Sequence, residues 1–228
     1  MLNLCAASLF FLLIHFGVSG TRLRDALVAR LGDGPYRGLF SLASLAGLVW
    51  LIHAYRHAPA VPTWGLLLAL RPAAYVLVFV AFLFVVIGAA TPNPTSVGME
   101  AKLAQGPDAA RGMLRITRHP FLCGVALWAL AHLLVNGHLA ALVLFGSLLV
   151  LAIGGTASID AKRRRGTGAQ WTAFAGVTSV LPFAAIAAGR NRLGPALREI
   201  GPWRPLVAVL VYAAVFHLHG WLGAPLVG

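Results

Sequence analysis

Long windows without a single Asp, Glu, Lys or Arg constrain this chain more than any other feature. They run over residues 1–21, 38–55, 72–99, 120–159 and 205–228. An apolar stretch of about 20 residues is what an α-helix needs to cross a hydrocarbon layer of ~30 Å. In lipid the backbone must satisfy its own polar groups, which points to helices. The window 120–159 is too long for one crossing, and Asn136, Gly137 and His138 interrupt it with a tight-turn signal. The expectation is an all-α, polytopic transmembrane helical bundle of about six spans, near residues 2–20, 38–55, 72–90, 120–135, 139–157 and 205–222. They form a single integral membrane domain over 1–228. Composition agrees: 59% of residues are hydrophobic and 11% charged, with mean hydropathy +0.83. Soluble domains carry about 25% charge.

The basic residues test the span count. The segment after the first span holds Arg22, Arg24, Arg30 and Arg37; the third connection holds Lys102, Arg111, Arg115 and Arg118. The fifth holds Lys162 to Arg165, Arg190, Arg192, Arg198 and Arg204. Only Arg56 and Arg71 fall on the other side. By the positive-inside rule the rich side is cytoplasmic, and both termini are expected on the non-cytoplasmic side. The formal charge of +12 is therefore topological and aimed at the lipid bilayer and its anionic headgroups. No aromatic-interleaved basic patch speaks for nucleic acid, so the expectation is no nucleic acid partner.

Residues 160–204 read as a cytoplasmic loop. Within it, residues 166–189 are charge-free but hold Gln170, several Thr and Gly, and Pro182. A full crossing there would carry Arg190–Arg204 outside, so the segment reads as interfacial or re-entrant. Trp203 and Trp221 suit the aromatic belts of the last span. The first window has no basic residue before it, unlike a secretory signal, and reads as a retained helix. Cys5 and Cys123 lie in apolar segments without a CxxC or CxxCH pattern and read as buried, inert thiols.

The acidic residues Asp25, Asp33, Glu100, Asp108, Asp160 and Glu199 all fall in the expected cytoplasmic segments, so the spans hold no carboxylate pair for acid–base work. Histidine is the unusual inventory. His15, His53, His132, His217 and His219 fall in apolar spans, where an imidazole needs a partner and is a functional candidate. Several histidines on different helices suggest ligands for a metal or haem held between them. His53 and His57, at i,i+4, could bind a metal, but their place at the span boundary reads as an interfacial, solvated pair. His217 and His219 point to different sides of the last helix. His15 and His132 lie on separate spans at depths of about 8–13 Å and about 18 Å, so they could clamp one haem iron. By depth, His217 or His219 suits His132 slightly better, and the pairing stays open.

Residues 115–124 (RITRHPFLCG) place Pro120 in the first turn of a span, with Arg118 and His119 at the membrane edge. Arg115, Arg118 and His119 could hold an anionic group such as a haem propionate, or simply anchor the helix.

Four blocks in order, IHFGVSGTRLRD, ITRHPFLCGVALWALAHLLVNGH, SIDAKRRR and TSVLPFAAIAAGR, resemble the NnrU family. That family is linked to nitric oxide and nitrite metabolism in denitrification. It is similar to the 15-cis-zeta-carotene isomerases, membrane enzymes that use haem b in redox-dependent cis–trans isomerisation of a polyene. The resemblance implies a non-covalent haem b with His15 and His132 as iron ligands, and makes His119 and His219 candidates for ligand exchange or propionate contact. It implies a polyene or nitric oxide as ligand, and a bacterial inner membrane as location. Its primary implication is a redox or accessory role in nitrogen-oxide metabolism; a haem-dependent carotenoid isomerase is the alternative. The RHPFLCG stretch also resembles S-adenosylmethionine-dependent membrane methyltransferases, but Asp160 amid AKRRR lacks their acidic cofactor segment, which leaves that reading third.

Overall fold

The computed structural model describes residues 1–221. It is an all-α membrane protein apart from one small ribbon. Helix α1 (Leu2–Leu13) continues through a π-helical stretch (Ile14–Ser19). Then come α2 (Arg22–Leu31), α3 (Asp33–Arg56), strand β1 (Pro62–Leu66) and α4 (Arg71–Ala89). A 3₁₀ stretch (Glu100–Ala109) and α5 (Met113–Ile116) lead to α6 (Pro120–Val135), β2 (Asn136–His138) and α7 (Leu139–Val177). The short α8 (Ala184–Ala187), α9 (Leu193–Ile200) and α10 (Trp203–Leu218) complete the described chain.

Among the described residues, four helical stretches are long and apolar enough to cross a membrane: Leu2–Ser19, Asp33–Arg56, Leu68–Ala89 and Leu139–Val177. Helices α9 and α10, bent by 69°, qualify only as one broken span. The sixth expected span ends at residue 222, outside the described residues. The 16 residues of α6 extend about 24 Å, short of the hydrocarbon thickness.

Sequence and structure differ at the boundaries, for local reasons. Residues 22–31 were expected as a connection, yet they form α2 because the Thr21 hydroxyl accepts the Leu23 N–H and starts the helix. Gly32, at φ 85°, stops it. Helix α3 begins five residues before the expected span, with Asp33 in its first turn and an i,i+4 ion pair to Arg37. Asn136–His138 separates α6 from α7 as expected, but as a strand paired antiparallel with β1 rather than a bare turn. The Trp64 indole lies where a Cβ on residue 137 would be, so only glycine fits there. Helix α7 continues past the membrane through Lys162–Arg165 to Gly168, whose backbone (φ 44°, ψ −108°) breaks it. Beyond that break the helix runs only to Val177, about 13 Å, too short to cross.

The chain divides into two compact units. The first comprises Met1–Ala74 with Ala129–Lys162; the second comprises Tyr75–Trp128 with the described residues from Arg163 onward. In the first unit small residues allow close helix approach, as in lipid, where packing rather than water exclusion drives association. A Cβ on Gly47 of α3 would sit 3.0 Å from the Phe10 ring, and one on Gly154 of α7 2.8 Å from the Phe16 ring. Ser8 donates to Ser147 at 3.3 Å, and the Trp50 indole N–H donates to Asn3 at 3.0 Å. On α3, Leu42, Leu45 and Val49 are 66%, 59% and 59% exposed at i, i+3, i+7, a stripe suited to lipid rather than water.

The second unit holds two buried clusters. Phe84, Ile87, Met113, Ile116, Ala196 and Ile200 form one; Leu103, Ala109, Ala110, Leu114, Trp171 and Phe174 form the other. Here α4 and α6 cross at glycines: a Cβ on Gly124 would lie 2.8 Å from the Ala81 carbonyl oxygen, and one on Gly88 would meet Pro120.

Candidate functional site

His15 stands in the π-helical stretch that follows α1. Wide π turns re-aim side chains and are frequent at functional positions. Its half-buried ring sits between Phe11 and Phe40, with centroid separations of 4.5 and 5.4 Å. Nδ1 lies 2.7 Å from the Phe11 carbonyl oxygen and Nε2 lies 3.2 Å from the Ser44 hydroxyl. A carbonyl accepts only, so Nδ1 carries the proton and donates to it; Nε2 then accepts from Ser44. This is the arrangement of a metal-ligating histidine, with a backbone carbonyl fixing the tautomer and the other nitrogen presenting its lone pair. A single rotatable hydroxyl holds that lone pair. His15 therefore fits a haem ligand.

His132, on α6, belongs to the same unit and is half-buried, its ring stacked on Phe145 of α7 at 4.5 Å with a 22° tilt. Helix α1 reaches α7 at Ser147 through Ser8, and the π-helical stretch reaches it at Gly154 through Phe16. Residues turn by about 100° each along a helix, so Phe145 and Ser147 look out about 160° apart. The His15 ring faces Phe40 and Ser44 of α3, whereas the His132 ring stacks on α7.

Arg115, Arg118, His119 and His219 lie in the second unit. His119 is 2% exposed at the start of α6, its backbone N–H bonded to the Thr117 hydroxyl. The Arg118 guanidinium lies 5.6 Å from the Trp171 ring centroid, and its carbonyl accepts from Asn93 and Thr95. Arg115 grips both carboxylate oxygens of Glu199 at 2.8 Å and donates to Asn191 at 3.0 Å. The Gly112 N–H adds a 2.6 Å bond to the same carboxylate. That pairing raises the Arg115 pKa and holds the Glu199 carboxyl below the usual carboxylate range, with the Arg115 hydrogen bonds as the main cause. Arg115 is thus engaged in tying α5 to α9. His219 is half-buried just after α10. His53 and His57 are both exposed at the end of α3, as an interfacial pair should be. Among the described residues, no group of three or more His, Cys, Asp or Glu is arranged to hold a metal ion.

Two important residues escaped sequence reasoning. Ser44 is an ordinary hydroxyl among apolar neighbours, and nothing in one sequence ties it to His15. Arg163 looked like one cation in a basic run. In the structure it is 6% exposed, donates to the carbonyls of Pro94, Thr95 and Ser96, and pairs with Glu100 at 2.9 Å. The signal available was the PNPT sequence itself, whose two prolines push the residues before them out of helical conformation and leave a loop whose carbonyls need other donors.

The family description that matches is "NnrU protein", over residues 3–226. The chain belongs to the NnrU family. This NnrU-family protein is similar to the chloroplastic 15-cis-zeta-carotene isomerase of Arabidopsis thaliana, with 30% identity over 193 residues, 81% of this chain and 50% of that protein. It is likewise similar to the chloroplastic 15-cis-zeta-carotene isomerase of Zea mays, with 27% identity over 191 residues, 82% and 50% of the two chains. The chain spans about half the length of the curated relatives it matches. No solved structure matches it.

Proposed function

We propose that this NnrU-family membrane protein binds haem b through His15 and assists cis–trans isomerisation of a long polyene of the carotene type. The observation that carries the haem reading is the pair of hydrogen bonds on His15: Nδ1–H on the Phe11 carbonyl, Nε2 on a displaceable serine. The substrate class rests on the relatives, which are named as 15-cis-zeta-carotene isomerases. Haem supplies reversible one-electron chemistry and an iron coordination site. The chain's own residues do the rest. Phe11 O keeps the ring upright and in one tautomer, Ser44 holds Nε2 until a ligand replaces it, and Phe40 meets the ring in a T-shaped contact. The family resemblance makes His132 the second ligand, and the exposed apolar helix faces suit a substrate that arrives from the lipid.

A second reading is a redox or accessory role in nitric oxide and nitrite metabolism, in a bacterial inner membrane. It is favoured by the different neighbours of the two rings, His15 against Ser44 and Phe40 of α3 and His132 against Phe145 of α7. One anchored histidine leaves a coordination position available to a diatomic gas.

The test is a reduced-minus-oxidised absorption spectrum of the detergent-purified protein, with haem quantified as the pyridine haemochrome. A stoichiometric b-type spectrum that His15→Ala abolishes supports the site. Conversion of a poly-cis carotene by the reduced protein then selects the isomerase. Absence of turnover with a nitric oxide-dependent spectral change selects the second reading. A protein that stays colourless after reconstitution with haem rules out both.

A further inference from the structure

The end of α3 carries a second histidine arrangement, which the haem reading does not use. His53 and His57 are four residues apart, so they share one helix face. Both are exposed, and their ring centroids are 4.3 Å apart with a 35° tilt. His57 Nδ1 lies 2.8 Å from the His53 carbonyl oxygen, so it carries the ring proton and donates to it. That bond turns the Nε2 lone pair of His57 outward, the same tautomer control that prepares histidine for a metal. Arg56, exposed beside them, marks the level at which α3 meets water.

We propose that His53 and His57 form a two-histidine surface site for a divalent transition cation, Cu²⁺ or Zn²⁺, with water completing the coordination. Neutral imidazoles suit these borderline-soft ions, whereas Mg²⁺ and Ca²⁺ demand oxygen ligands. Two donors already on one face act as a chelate, because once the first nitrogen binds, the second is at high effective concentration. The bound ion clips the last turn of α3, just before the chain leaves the helix at His57. This site is independent of the haem proposal and shares no residue with it.

The test uses the full chain, purified in detergent without a histidine tag, titrated separately with Cu²⁺, Zn²⁺ and Mg²⁺ by calorimetry. The expected order of affinity is Cu²⁺ above Zn²⁺, with no response to Mg²⁺. His53→Ala and His57→Ala both change exposed side chains and should fold normally. Each should weaken binding by about tenfold or more, the loss of the chelate. Zn²⁺ should also raise the melting temperature of the parent protein but not of either variant, since a ligand of the native state stabilises it. Affinity unchanged in both variants would overturn the site, as would a response to Mg²⁺ equal to that to Zn²⁺. Binding by the parent no tighter than by the single-histidine variants would do so too.

Discussion

His15 in the first unit and Arg163 in the second are both polar side chains placed among apolar helices, and both are hydrogen-bonded. They differ in what their partners permit. Arg163 is always charged and divides its N–H groups among three successive carbonyls and the Glu100 carboxylate. Removing it leaves several acceptors unpaired together. His15 fixes one nitrogen on a carbonyl and rests the other on a single serine hydroxyl, a partner that can be exchanged for about 1 kcal/mol. A side chain bound on all sides by fixed groups holds the fold, whereas one with a single soft partner can receive a ligand. Arg115 belongs with Arg163 in this respect, with Glu199 and Asn191 as its fixed partners.

The sharpest way to break this contrast is to remove the fixed group. Arg163→Ala should destabilise the protein by about 3 kcal/mol, read as thermal unfolding in detergent, because buried carbonyls lose their donor. A loss similar to that of an exposed arginine would show that the 91–96 loop does not depend on it. Gly124→Ala comes next, at about 2 kcal/mol, since the added methyl meets the Ala81 carbonyl on a neighbouring helix and neither backbone can yield cheaply.

Glu199→Gln should cost about 1 kcal/mol, a charge-assisted bidentate pair discounted for its partial exposure. Its pH dependence follows from the lowered carboxyl pKa. A depressed folded value contributes stability above the unfolded pKa and loses it as pH falls through the folded one. The gap between parent and variant should therefore be flat at neutral pH and close only in acid below the ordinary carboxylate range. The smallest stability change belongs to Ser44→Ala, at under about 1 kcal/mol. That variant should take up haem at least as readily as the parent, whereas His15→Ala should take up none. A Ser44→Ala protein that lost its haem as completely as His15→Ala would make the serine part of the ligand set rather than a placeholder.

Much of the fold was legible because membrane crossing is a property of sequence windows. Charge-free runs located α4 and α6 within a residue or so, and the basic residues grouped by connection. Boundaries were less legible where a helix outlasts its apolar stretch. Helix α7 continues through Lys162–Arg165 because long basic side chains are good helix formers once outside lipid, and no charge count marks Gly168 as the stop. Strand β1 was invisible because five residues pair only with a segment some 70 positions away. At the site, the histidines were visible as costly residues in apolar surroundings, but their partners were not.

The sequence by itself determined that this chain enters a membrane as helices, where its apolar stretches lie, and which imidazoles deserve suspicion. These follow from transfer free energies that add up along a local window. Only the tertiary structure decided that Ser44 faces His15, that Arg163 is buried on the Pro94–Ser96 carbonyls, and that His132 stacks on Phe145. Such choices are made between side chains 13 to 69 residues apart, by helix rotation and close glycine crossings, and no window of sequence contains both partners.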